Sequence, residues 1–303
     1  MVSISKFYTI IFCIFLVSIS LSSCEEEVKK NTKAEIKDDA ENVFDFDKHP
    51  DRIVSLAPNI TEALFAIGAD SFIVGVSNYC DYPPETKIKK KVGSLLDPNL
   101  EVIASLNPDL IIMTIEGNSR QTYYSLKNLN YKVFVTNPSN VDGIIKMIKQ
   151  FGIITGKKET ADRIANTMQN DKDNFVSQNQ FEVKQGNNCL MLISLSPLIT
   201  VNKFTFINEI IELAGFKNLY RDELIQYPQI NYEDVILKNP DYIFISCDTN
   251  DIMLKNNLLN SVNDKMNTTN GVKNKKVFPL DENVLSRPGP RVLECVRLLK
   301  NKL

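Results

Sequence analysis

No tryptophan occurs anywhere in this chain, and its single histidine, His49, stands near the N-terminal end. That position falls in the tether expected below, which would leave the folded part without a histidine for a Ser–His–Asp hydrolytic site, and a metal site built from several imidazoles has no ligands to draw on. Glycine is sparse, 11 in 303 residues, and no glycines fall in G-x-G-x-x-G, G-x-x-x-x-G-K or G-x-S-x-G order. The chain thus lacks a phosphate-cradling loop and a nucleophile elbow. C-x-x-C is absent too, which removes the usual zinc and thioredoxin signatures. The net charge is only −2, so no broad basic surface exists to attract nucleic acid. A hydrolase working through paired carboxylates is the enzyme class that composition leaves open, and no Asp/Glu pair stands out for it.

What is present begins at the N-terminus. Lys6 and the terminal amine precede an apolar run from Phe7 to Leu21, about the length of a signal-peptide core and shorter than the ~20 residues that span a bilayer. Leu21-Ser-Ser-Cys24 follows and resembles a bacterial lipobox. Residues 1–23 are accordingly expected to be a lipoprotein signal peptide, with Cys24 lipidated, and two or more acyl chains hold a protein stably on a membrane. Residues 24–50 carry nine acidic and five basic side chains and few apolar ones. Such a segment buries too little to offset its ordering entropy, so it is expected to be a disordered tether with a reach of roughly 25–30 Å.

Beyond Pro50 the pattern becomes α/β. Short apolar runs alternate with segments of helical period: Arg52–Leu56, then Ile60–Gly68, Phe72–Val76, Leu100–Leu106, Leu110–Met113, Ser119–Asn130 and Lys132–Thr136. This alternation predicts a largely parallel sheet. It restarts at Cys189–Leu195 and ends in a helix after Pro290. Between the halves, residues 157–185 contain neither Gly nor Pro, and Ala161, Ile164, Ala165, Met168 and Phe175 fall at helical spacing. One long helix joining an N-terminal lobe (51–156) to a C-terminal lobe (186–303) is the expected plan, with a ligand cleft between lobes that move little against each other. Cys80, Cys189, Cys247 and Cys295 remain in the folded part. They read either as small buried hydrophobes or, for Cys189 and Cys247, as a disulfide.

One element is spelled twice. Asn99–Met113 reads NLEVIASLNPDLIIM, and 132 residues later Asn231–Ile245 reads NYEDVILKNPDYIFI. A single pair so widely separated indicates two similar lobes, not a short-period solenoid. Asn-Pro-Asp in each copy is a helix stop, a turn and a strand start.

These stretches carry a family resemblance. DRIVSLAPNITEALFAIGA, VGVSNYCDYPPE and NLEVIASLNPDLII closely resemble class III solute-binding proteins of ABC importers, the receptors for cobalamin, siderophores and haem. The resemblance runs from Arg52 to the C-terminus, and YCDYPPE together with SRPGPR is most similar to the cobalamin branch. It implies two Rossmann-like α/β lobes bridged by a rigid helix, a monomer, no catalysis and no resident cofactor. It implies cobalamin or a related corrinoid as cargo, with a siderophore or haem as the alternative. It also implies that one surface glutamate per lobe docks on arginines of a permease dimer, which places Glu101 and Glu233 in that role. Each taken alone is an ordinary first-turn glutamate favoured by the helix dipole.

The same resemblance places the ligand among loops at the carboxyl ends of strands: residues 57–59, 79–82, 114–116, 197–200, 227 and 283–287. Pro58, Asn59, Tyr79, Tyr82, Thr114, Tyr227, Asn283 and Arg287 are the implied contacts. Tyrosine offers a ring face and a hydroxyl, and arginine a fork of donors. Asn59 also reads as a helix cap, each tyrosine as a packing residue, and Arg287 as a surface partner of Asp281 or Glu282. Arg291 is placed in the first turn of the last helix. The missing tryptophans depart from the cobalamin pattern: Thr114, Tyr227 or Val284 stands where one is expected.

Overall fold

The computed structural model describes residues 35–46, 48–181 and 187–303. The expected signal peptide, Cys24 and the first part of the tether lie outside these residues. Among the described residues, no helix is long and apolar enough to cross a membrane.

The tether expected through Pro50 is corrected first. Ile36–Lys37 (β1) and Val43–Phe44 (β2) pair as an antiparallel hairpin. Asp38 is buried, and its carboxylate accepts the backbone N–H of Val135 at 3.0 Å, while Asp39 accepts that of Asn137 at 2.6 Å. Phe44 packs against Phe134 in a tilted arrangement with ring centroids 5.2 Å apart. The charges that made this stretch look solvated are acceptors for an exposed sheet edge, and two apolar side chains anchor them.

The first lobe follows as Ile53–Ser55 (β3), Pro58–Ala66 (α1), Ile73–Val76 (β4), Lys90–Lys91 (β5), Leu100–Ser105 (α2), Leu110–Thr114 (β6), Arg120–Asn128 (α3), Val133–Thr136 (β7) and Val141–Ile154 (α4). Its sheet has the order β5-β4-β3-β6-β7, with every pair parallel. All residues of β3, β6 and β7 are buried, as expected of strands covered on both faces by helices.

Lys158–Phe181 (α5) is the linking helix. Ala161, Ala165, Met168 and Phe175 are buried along it and Ile164 packs partly against the core, so the helical spacing read from the sequence is the buried stripe. A Cβ on Gly152 would lie 2.3 Å from that of Ala161; the glycine lets α4 and α5 cross at close range. His49 closes the far end of α4, its Nδ1 donating to the Ile154 carbonyl at 3.0 Å.

The second lobe comprises Asn188–Leu192 (β8), Ser194–Leu195 (β9), Leu198–Ile199 (β10), Phe206–Leu213 (α6), Lys217–Asn218 (β11), Tyr232–Lys238 (α7), Tyr242–Cys247 (β12), Ile252–Lys265 (α8), Asn270–Lys273 (α9), Val277–Asp281 (β13), Glu282–Leu285 (α10) and Val292–Lys300 (α11). Its parallel sheet runs β11-β8-β12-β13, and β9 and β10 form a separate hairpin. Cys80, Cys189, Cys247 and Cys295 are all free and buried, so Cys189 and Cys247 do not pair.

One apolar cluster runs from the inner face of the first sheet through α4 and α5 to α6, α11 and the inner face of the second sheet. The outer faces have their own clusters. The two lobes therefore share a core, and opening the cleft widely would expose part of it to water.

Candidate functional site: the cleft between the lobes

A cleft of about 690 Å³ lies between the lobes, within the usual range for small-molecule sites. Residues 57–59, 79, 114, 116–117 and 137–138 reach it from the first lobe, and residues 193, 246, 282–283 and 286–288 from the second. These positions end or follow β3, β4, β6, β7, β8, β12 and β13, the carboxyl ends of parallel strands, where ligands of open α/β sheets sit.

Seven of the eight expected contacts line this cleft: Pro58, Asn59, Tyr79, Thr114, Tyr227, Asn283 and Arg287. Tyr79 and Tyr227 come from opposite lobes and keep 55% and 38% of their surface exposed. Burial and the nearby Glu116 carboxylate push the Tyr227 phenol up to about 12, so it is a neutral hydroxyl near neutrality.

Tyr82 does not reach the cleft. Its ring lies under the Arg291 guanidinium, 3.8 Å from centroid to Cζ, and borders a smaller neighbouring hollow with Glu62, Asp70 and Glu85. The loop 197–200 is also absent from the cleft wall. It forms the β9–β10 hairpin, and Thr200 is buried with its hydroxyl donating to the Met191 carbonyl at 2.5 Å. Asn59 is not the helix cap. Ala57 holds that position with Pro58 in the first turn, and the buried Asn59 amide donates across the cleft to the Pro288 carbonyl at 3.5 Å.

Arg287 pairs with neither Asp281 nor Glu282. Its Nη1 donates to Glu62 at 3.1 Å and Asp81 at 2.6 Å, and its Nη2 to the Asn283 amide oxygen and, at 3.5 Å, the Tyr79 carbonyl. Arg291, the residue that opens α11, grips the other side of Glu62 through Nε at 2.9 Å and Nη2 at 2.8 Å. Glu62 is 4% exposed. Sequence reasoning missed it, because a mid-helix glutamate carries no sign of a partner more than 220 residues away; the Arg-x-x-x-Arg spacing of 287 and 291 is the one available signal. Burial raises the Asp81 carboxyl, but the hydrogen bond and charge of Arg287 outweigh it and hold the group below its ordinary range.

Two further residues shape the floor and were not foreseen. Asn118 is buried, accepts the Thr114 N–H at 2.9 Å and donates to the carbonyls of Leu56 and Leu95 at 3.2 and 2.7 Å. The buried Cys80 thiol meets Thr61 at 3.1 Å and Ser77 at 3.2 Å and so fixes the Tyr79 loop.

On the outside of each lobe, Glu101 and Glu233 stand in the first turns of α2 and α7 with exposed side chains. Neither takes part in an ion pair among the described residues. No group of three or more His, Cys, Asp or Glu among those residues is placed to hold a metal ion.

Comparison with known proteins agrees with this architecture. A family model described as "Periplasmic binding protein" matches residues 53–284. The chain is 28% identical over 246 residues to a vitamin B12-binding protein of Vibrio cholerae serotype O1, covering 81% of this chain and 86% of the relative. The crystal structure of a periplasmic vitamin B12 binding protein of Vibrio cholerae superposes with a TM-score of 0.73 at 28% identity, covering 84% of this chain and 96% of that one. A possible iron-binding, periplasmic solute-binding protein of Staphylococcus epidermidis superposes at 0.72 with 27% identity, covering 84% and 99%.

Proposed function

The chain belongs to the periplasmic binding protein family, a family of binding proteins and not of enzymes, and we propose that it captures cobalamin or a related corrinoid and delivers it to an ABC permease. Lipidated Cys24 holds the monomeric receptor on the membrane. The corrinoid is cargo, and no resident cofactor takes part. Tyr79 and Tyr227 face the ring from opposite lobes, and Pro58, Asn59, Thr114 and Asn283 complete the surface. Glu101 and Glu233 present one carboxylate per lobe for charge-assisted bonds to permease arginines.

The observation that carries the reading is the chemistry of the cleft. Among the described residues its one arginine is already satisfied by Glu62 and Asp81, and no other cation lines the cleft for a ferric siderophore or for haem propionates. A large, nearly neutral ligand that brings its own axial groups suits such a wall, and relatives at 28% identity are named for vitamin B12.

The test is a calorimetric titration of the full chain with cyanocobalamin, haem and a ferric siderophore. One-to-one, submicromolar binding of cyanocobalamin alone is the expected result. Binding of haem or the siderophore with no response to cyanocobalamin would discard the corrinoid reading.

A further inference from the structure

Three charged side chains line the cleft: Glu116, Glu282 and Arg287. Arg287 does not balance the other two. It is 11% exposed in its side chain and bound to Glu62 and Asp81, and Arg291 completes that cluster through Glu62. Two guanidinium groups against two carboxylates leave it neutral. Glu116 and Glu282 engage no cation among the described residues. Both residues are exposed to solvent, though the surrounding protein desolvates Glu116 enough to raise its carboxyl above its ordinary range.

Their positions are complementary. Glu116 follows β6 in the first lobe, and Glu282 follows β13 in the second. A ligand held between the lobes meets one acceptor-only carboxylate on each wall. An amide N–H at the ligand's edge gives such a group a charge-assisted hydrogen bond. A ligand carboxylate in the same place meets like charge in a partly desolvated cleft, and like-charge contacts across an interface are strongly disfavoured.

We infer that Glu116 and Glu282 are specificity-determining residues, one per lobe, that select a tetrapyrrole bordered by uncharged amides over one bordered by carboxylates. This deepens the corrinoid reading and rests on it for the identity of the ring. The charge preference itself applies to any ring the cleft accepts.

The test uses two ligand pairs that differ only in peripheral charge. One is cyanocobalamin and the monocarboxylate made by hydrolysing one of its side-chain amides. The other is haem dimethyl ester and haem. Each is titrated into the full chain and into the Glu116→Gln, Glu282→Gln and double variants, with circular dichroism as the folding control.

The wild-type chain is expected to bind cyanocobalamin about tenfold or more tighter than its monocarboxylate, the remainder of a like-charge contact after salt screening. The double variant is expected to reduce that ratio to about threefold or less, with each single variant between. Equal affinities in the wild type, or an unchanged ratio in a folded double variant, overturn the inference. Should neither corrinoid bind, the corrinoid reading fails by itself and the haem pair decides. Tighter binding of the ester, with the preference lost in the double variant, upholds the charge selection. Equal or tighter binding of haem overturns it. Binding of none of the four ligands overturns both.

Discussion

The two copies of the helix–turn–strand unit use the same local devices in different surroundings. In the first, Asn99 caps α2 by accepting the Val102 N–H at 3.0 Å; in the second, Asn231 caps α7 by accepting the Asp234 N–H at 2.8 Å. Asn107 and Asn239 then adopt the left-handed conformation at φ 45° and 49°, which asparagine tolerates better than most residues. Asp109 next accepts the N–H groups of Asp51 and Arg52, and Asp241 that of Asn188. Each aspartate thus ties its own strand to the start of the neighbouring parallel strand. Asn, Pro and Asp are structural in both copies, whereas Glu101 and Glu233 satisfy nothing inside their lobes.

The lobes differ in what the repeated strand delivers. β6 ends in Thr114 and leads into Glu116 and Gly117 at the cleft, while β12 contributes only Ser246. The second lobe reaches the cleft instead through Gln226, Tyr227 and the segment after β13. The repeated unit thus presents like first-turn glutamates outside and unlike loops at the cleft.

The largest effect concerns the outward pair. Glu101→Arg with Glu233→Arg should reduce permease-dependent uptake by about a hundredfold or more, with cyanocobalamin affinity within twofold of wild type, since reversed charges repel the partner. Each single reversal should lose a similar part of uptake. Transport that survives the double change, or depends on one lobe alone, breaks the proposed equivalence.

Next comes the seam beside the cleft. Glu62→Ala leaves Arg287 and Arg291 half-buried without their shared carboxylate, a class of change that costs about 3–5 kcal/mol. Urea unfolding should show a loss near the lower end, because Asp81 still serves Arg287. A loss under about 1 kcal/mol would mean that the shared apolar core alone joins the lobes.

The aspartate clasps should cost less. Asp109→Ala and Asp241→Ala should each lower stability by about 1–2 kcal/mol through unpaired strand N–H groups. The clasps would then be similar in energy although Asp109 accepts two backbone N–H groups and Asp241 one, and a difference beyond about 2 kcal/mol would separate them.

The smallest effect distinguishes the two seams by pH. At the cleft, Asp81 is held below its ordinary range. Its stabilising share is complete above the usual carboxylate pKa and is lost as pH falls through the depressed value. On the far side, Lys172 bonds Asp142 at 2.7 Å and Glu209 at 3.2 Å, and Glu209 accepts the Val141 N–H at 2.6 Å. Burial lowers the Lys172 ammonium, but those two carboxylates outweigh it and raise the group above its ordinary value. Its share is complete below the usual lysine pKa and is lost as pH rises through the raised one. Asp81→Asn should blunt the acid limb of a stability–pH curve, and Lys172→Met the alkaline limb. Exchanged limbs would contradict the assignment.

Much of the fold was legible because its signals are local. The apolar runs of β3, β6 and β8, the Gly- and Pro-free linking helix and the Asn-Pro-Asp repeat each depend on neighbours in the chain. The hairpin at 36–44 was not, because Asp38 and Asp39 look solvated until β7 supplies N–H groups nearly a hundred residues later. The site divided in the same way. The family resemblance, not strand counting, pointed to the loops of Tyr79, Thr114 and Tyr227, and all three line the cleft. Glu62, Asn118 and the stacking of Tyr82 on Arg291 depend on partners that only the closed fold brings together.

The most direct test of the account is the cyanocobalamin affinity of Tyr79→Ala, Tyr227→Ala and the double variant, measured by calorimetry on the full chain. A ligand gripped from both lobes predicts a loss of more than about 1 kcal/mol for each single change and a larger loss for the pair. Wild-type affinity in the folded double variant would show that the ligand does not lie between these walls.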